Sequence, residues 1–237
     1  MRPVGARGSI RFAGPPGWRR IPPVTRGTLL LAALGYLAVV FTGIPLKYLS
    51  AIPSAIVTGQ VWRLVSYPLV VLGIINILFG LLLLWSFGSE LEPHWGSKAY
   101  AWFLLVVTVM AGAFGTAAAL MLGAHGVFEP SFGGLSGVLT AVIVAWALLG
   151  PDLPTNFFGI LPMTRKIFAL IAIIIVVFGE LEQTHSLVRL VFCLGGLPAA
   201  WFWTRRRRPS FTRSSLPRIF RRRRFRVIRD DESSRFH

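Results

Sequence analysis

Six long apolar runs, separated by more polar, basic or amphipathic connections, restrict this chain to one kind of solvent. They cover about residues 28–46, 69–87, 99–122, 135–150, 167–179 and 187–203. Of the 237 residues 54% are hydrophobic and only 14% charged, with a mean hydropathy of +0.65. A water-soluble domain of this size has too few interior positions for so much apolar material, so the bilayer is the solvent. The fold class expected is all-α: a polytopic membrane protein whose six transmembrane helices pack as a bundle.

A span needs about 20 mostly apolar residues, with about 17 as a working minimum. The fifth run falls short of that, although Arg165 and Lys166 beside it can snorkel to the headgroups. Parity argues for counting it. With six spans both arginine-rich ends fall on one side, together with Arg165 and Lys166, as the positive-inside rule requires. The chain then divides into a basic cytoplasmic arm (1–27), a six-span membrane domain (28–204) and an arginine-rich cytoplasmic tail (205–237). The first run lacks a small-residue cleavage site and reads as a retained span. A bacterial inner membrane is the expected location.

The formal charge of +16 flanks apolar spans and does not interleave with base-stacking aromatics, so it points to membrane anchoring and away from nucleic acid. The tail carries arginine runs at 205–208 and 221–224 before Asp230, Asp231 and Glu232. The first run reads as a stop-transfer anchor. The second fits either contact with anionic lipid, each arginine adding about 1 kcal/mol near such a surface, or a solvated tail. One cysteine permits no intrachain disulfide. The connection 47–68 is amphipathic, with Tyr48, Trp62 and Tyr67 beside Lys47 and Arg63, and suits a segment lying at the outer interface.

Several motifs occur in an order that resembles the rhomboid family of intramembrane serine proteases. Trp62-Arg63 lies in the long connection after the first span. Gly88, Glu92 and Gly96 form a Gly-x-x-x-Glu-x-x-x-Gly pattern closing the second. Gly134-Leu-Ser136-Gly137 opens the fourth, and Gly195-Gly196 stands in the sixth. The resemblance covers about residues 28–204 and implies a six-span bundle with Ser136 as candidate nucleophile. No metal or other cofactor is implied.

Two departures bear on the chemistry. The family activates its serine with a histidine on the sixth span, since a neutral hydroxyl needs a general base. The position before Leu194-Gly195-Gly196 holds Cys193, and a thiol is a poor substitute for an imidazole. His185 lies eight residues upstream, about 12 Å along a helix. His125 is in the loop before Ser136, His94 at the opposite side and His237 in the tail. The family's oxyanion-holding histidine and asparagine on the second span correspond to Asn76 and Gly80 here, so one donor has changed and one is gone. Losing one such donor typically lowers turnover by about 10²–10³-fold.

Ser136 therefore has three readings: a nucleophile served by another base, a remnant lining a polar cavity, or a small residue for close helix packing. The second is favoured. Glu92 reads as a structural carboxylate, Gly195 and Gly196 as close-packing positions, and Trp62 and Arg63 as interface anchor and loop determinant. The function implied is a non-proteolytic rhomboid-like protein that binds transmembrane segments of client proteins, with an active serine endopeptidase as the alternative. A transporter fits poorly, because few ionisable residues fall inside the spans.

Overall fold

The computed structural model describes residues 21–43, 48–122, 131–151, 154–157, 161–184 and 187–207. The elements are α1 (Pro23–Thr42), α2 (Pro53–Val57), α3 (Arg63–Ser66), a 3-10 turn (Tyr67–Leu69), α4 (Ile74–Trp95), α5 (Ser97–Met121), α6 (Ser136–Leu149), β1 (Pro154–Phe157), β2 (Leu161–Thr164), α7 (Arg165–Thr184), α8 (Leu187–Leu194) and α9 (Leu197–Arg206). Among the described residues, 4 stretches are long and apolar enough to cross a bilayer: α1, α4, α5 and the run Leu187–Arg206. α6 is a shorter apolar helix.

α6 is the hub. Its residues 136–143 and 145–147 are all buried, and it packs on α4, α5, α7, α8 and α9. Apolar character alone would suit lipid as well as a core; the Ser136 and Thr140 hydroxyls and the small residues Gly137, Ala141 and Ala145 favour close helix packing around α6. Trp146, Phe87 and Phe168 pack ring against ring at its lower half, with Phe87–Trp146 centroids 4.8 Å apart. By contrast α1 exposes Leu30, Leu31, Leu34, Leu37, Val40 and Phe41. That is the pattern of an outer helix facing hydrocarbon.

The two ends of the bundle differ. At one, which we call the junction end, the start of α1 meets the α4–α5 junction. Glu92 accepts the backbone N–H groups of Val24 (3.0 Å) and Thr25 (2.7 Å), the Thr25 hydroxyl (2.8 Å) and the Ser97 hydroxyl (2.7 Å). α1 has no side-chain cap of its own, so a carboxylate from α4 satisfies the orphan amides of its first turn. Arg165 forms an ion pair with Glu90 at this end. Trp146 donates its indole N–H to the same carboxylate, and the guanidinium lies 4.7 Å from the Trp146 ring centroid. Trp203 of α9 packs near Phe103 of α5. Both described termini, Ile21 and Arg207, thus lie toward this end.

The structure departs from the sequence-based expectations in four places. α1 begins at Pro23, inside the expected arm, because Pro at the first helical position is preorganised and Glu92 completes the cap. Residues 154–157 and 161–164 form an antiparallel hairpin with Asn156 opposite Pro162, so the all-α description needs this addition; proline at 154 and 162 prevents a helix there. α7 runs for 20 residues, longer than the apolar run 167–179, because a helix continues past the point where polar residues dilute the hydropathy. Finally, the sixth apolar run is broken at Gly195–Gly196, with Pro198 in the first turn of α9, where its missing N–H is harmless.

Candidate functional site

Ser136 is delivered to its position by the segment before α6, and that segment is held by the 48–70 connection. Phe132 pairs with Ala51 through two backbone hydrogen bonds of 2.8 Å, and the Gly134 N–H donates to the Tyr67 carbonyl at 3.2 Å. Gly134 has φ +102, a conformation that disfavours residues with a Cβ. A Cβ on Gly133 would come within 2.6 Å of the Val70 carbonyl oxygen, so the two strands of chain touch with no side chain between them. The connection is braced in turn by Arg63, which is buried. Its Nε donates to Gln60 Oε1 at 2.7 Å and its Nη1 to the Ser50 carbonyl at 2.8 Å. Ser66 donates to the Leu49 carbonyl. Tyr67 was expected at the interface but is fully buried, because its hydroxyl finds the Thr108 carbonyl at 3.1 Å. Burial pushes that hydroxyl's pKa far above the usual tyrosine range. Trp62, in contrast, is 56% exposed, as an interface anchor should be.

Ser136 is the first residue of α6, and its amide and the next two precede the first intrahelical bond, Leu139 N–H to the Leu135 carbonyl at 2.8 Å. At about 1.5 Å per residue the 14-residue helix is about 21 Å long, less than the ~30 Å hydrocarbon core. The helix is therefore too short to cross the hydrocarbon core unaided, so at least one of its ends lies within it. The Ser136 hydroxyl is buried and has no hydrogen-bond partner among the described residues. One turn on, the Thr140 hydroxyl donates to the Cys193 carbonyl at 2.6 Å, and the Ser136 and Gly137 carbonyls lie 3.1 Å from it. Thr140 was not singled out from the sequence, although a lone hydroxyl in the middle of an apolar run is the signal that marks it. Side chains tilt toward the start of their helix, so the fully buried Cys193 thiol lies on the Ser136 side of its carbonyl.

The surroundings are apolar. Phe192 stacks on Phe132 with centroids 5.1 Å apart and meets Tyr67 edge-on at 4.9 Å. This aromatic group occupies the loop end of the bundle above α6. The 48–70 connection, the segment before α6 and α8 thus converge on the serine, but none brings an imidazole among the described residues. His94 is exposed at the junction end, its Nδ1 2.7 Å from the Glu90 carbonyl. His125, His185 and His237 lie outside the described residues. No cluster of metal-binding side chains occurs among the described residues.

Residues 25–237 match a family described as eukaryotic integral membrane protein (DUF1751). Among curated proteins, the rhomboid protease GlpG of Photorhabdus laumondii is 31% identical over 160 residues, 66% of this chain and 52% of that protein. Rhomboid protease GlpG of Yersinia pseudotuberculosis is 29% identical over 137 residues, 56% of this chain and 46% of that protein. The chain belongs to the DUF1751 family, within the rhomboids. It is an integral membrane protein, and it spans about half the length of the curated relatives it matches.

The remaining rhomboid motif positions have distinct surroundings. Gly196 packs on α6: a Cβ there would lie 2.9 Å from the Gly137 carbonyl and 3.0 Å from Ala141 Cβ. Gly195 faces α5, against Phe114 and Ala111, and Gly137 lies between Ala111 and the Phe192 carbonyl. These glycines let three helices approach at backbone distance. Gly88 makes room for the Thr25 and Tyr100 hydroxyls beside Glu92, and Gly96 turns the chain from α4 into α5 at φ +83. At the two oxyanion positions, Gly80 is filled over by the Leu135 and Leu139 side chains. Asn76 is exposed and donates its amide to the Leu72 carbonyl, in the segment just before its own helix. The structure therefore packs Gly196 on Gly137 and links the Ser136 and Cys193 carbonyls through the Thr140 hydroxyl, while Asn76 takes part in neither contact.

Proposed function

We propose that this rhomboid-family protein binds transmembrane segments of client membrane proteins without cleaving them. The observation that carries the reading is the Ser136 hydroxyl, buried and without a hydrogen-bond partner among the described residues, with Cys193 at the position of the base. A serine without an activating base is a weak nucleophile. It remains a good hydrogen-bond donor and acceptor, and the amides of the first turn of α6, which precede its first intrahelical bond, stand next to it. A client helix carrying polar or helix-breaking residues is costly to leave in lipid, and these groups offer it hydrogen-bond partners. The bundle is read as six spans with both ends cytoplasmic, flanked by basic arms at 1–27 and 205–237. The gathering of both described termini at the junction end supports an even number of crossings. The family is described from eukaryotes and the relatives are bacterial, so we leave the bacterial inner membrane as one of two locations.

The second reading is an intramembrane serine endopeptidase using Ser136 with a non-standard base; the likeness to rhomboid proteases favours it. Labelling with a serine-reactive fluorophosphonate in native membranes separates the two. Comparison of wild type with Ser136→Ala, beside an active rhomboid protease, is expected to show no Ser136-dependent signal. A signal abolished by the substitution refutes the non-proteolytic reading. Client binding is tested by photocrosslinking before and after a bulky residue is placed beside Ser136. Unchanged crosslinking removes the site from the binding surface.

A further inference from the structure

The junction end holds an open cleft of 490 Å³ between the start of α5 and the end of α9, unconnected with Ser136. Lys98 and Arg207 line it, together with Trp95, Ser97 and Trp102. Both cations are solvent-exposed, and neither has an acidic partner among the described residues: the one ion pair there joins Arg165 to Glu90. The nearest carboxylate of α4, Glu92, is turned inward onto Val24, Thr25 and Ser97. Two uncompensated positive charges thus face the same concavity.

The rest of the lining favours an anion of a particular kind. The N-cap of α5 is Gly96, which has no side chain to cap it, and the Ser97 hydroxyl goes to Glu92, so the first amides of α5 remain as donors at the cleft wall. The setting is amphiphilic. Arg205, Arg206 and Arg207 lie over Trp201, Phe202 and Trp203 at 4.8, 4.1 and 5.2 Å from the ring centroids. Trp102 is 61% exposed beside them. Indoles and arginines in one layer mark the level of lipid headgroups, and basic pockets between membrane helices accept phosphate headgroups. We propose that this cleft binds the phosphate headgroup of an anionic phospholipid, with Lys98 and Arg207 holding the phosphate and Trp95 and Trp102 flanking the glycerol region.

The test uses the full chain in detergent, with bound lipid counted by native mass spectrometry on titration with phosphatidylglycerol or phosphatidylcholine. Lys98→Gln/Arg207→Gln is expected to weaken phosphatidylglycerol binding on the order of 30-fold, at about fivefold per cation near the surface. Arg205→Gln/Arg206→Gln removes the same charge outside the cleft and is expected to change binding less than about threefold. Equal weakening by the two pairs means a diffuse charge effect and overturns the proposal, as does equal binding of phosphatidylcholine. Inorganic phosphate or glycerol phosphate that protects the protein against heat as well as phosphatidylglycerol does overturns the lipid as the source. Both cations are exposed, so the variants are expected to melt as wild type in lipid-free detergent, which keeps the comparison free of misfolding.

Discussion

Replacing Glu92 with alanine tests how the bundle is tied together. The carboxylate serves four donors from two other segments: the amides of Val24 and Thr25, the Thr25 hydroxyl and the Ser97 hydroxyl. The hydroxyls can rotate to other acceptors. The amides cannot, and Thr25 is fully buried. Stranding a buried donor costs about 1–3 kcal/mol, and losing the negative charge at the start of α1 about 0.5–1 kcal/mol more. Relief of the carboxylate's own desolvation offsets part of this. We expect a net loss of about 3 kcal/mol, a shift of roughly a hundredfold in the unfolding equilibrium. Unfolding in mixed SDS–dodecylmaltoside micelles, followed by tryptophan fluorescence, measures it. Glu92→Gln keeps the shape and one acceptor oxygen and should lose about half as much. The decisive comparison is a cycle with Thr25→Ala. A loss below about 1 kcal/mol for Glu92→Ala, or strict additivity with Thr25→Ala, would refute the tie between α1 and α4.

Three further outcomes are expected. Gly196→Ala places a methyl 2.9 Å from the Gly137 carbonyl and 3.0 Å from Ala141 and Val107, and should destabilise by about 1–3 kcal/mol in the same assay. Thr140→Val removes the 2.6 Å bond to the Cys193 carbonyl and should lose about 0.6–1.7 kcal/mol; a neutral result would mean the α6–α8 contact is held by packing alone. Burial raises the Tyr67 pKa, so its stabilisation is complete below the unfolded tyrosine value of about 10 and falls as pH rises above it. Wild type should then lose about 1.4 kcal/mol per pH unit more than Tyr67→Phe between about pH 10 and 11.5; parallel pH profiles would show that the hydroxyl titrates normally.

Much of the site was legible because small residues leave few alternatives in an apolar run. Gly134, Ser136, Gly137, Gly195 and Gly196 stand out as motifs, and each sits where two backbones touch or turn. Glu92 was legible as a structural group, since a carboxylate at the end of a span has to find donors. Its donors were not, because Thr25 and Ser97 are remote in sequence from each other. Tyr67 and Asn76 read differently in the fold for one reason. A polar side chain takes the nearest carbonyl that packing offers, and for Tyr67 that was on α5 while for Asn76 it was Leu72, just before its own helix.

The sequence alone determined the solvent, the helical class and the order of the segments, because each follows from hydropathy and local sterics. It also shows that a cysteine, and not a histidine, precedes Leu194-Gly195-Gly196. Only the tertiary structure decided that α6 lies at the centre, that the Ser136 hydroxyl is buried at its start, and that the 48–70 connection holds the segment before it. Those features depend on contacts between residues far apart in the chain, such as Ala51 with Phe132 and Thr140 with Cys193. No local pattern encodes them, because they form only when separate helices pack around one short, fully buried neighbour.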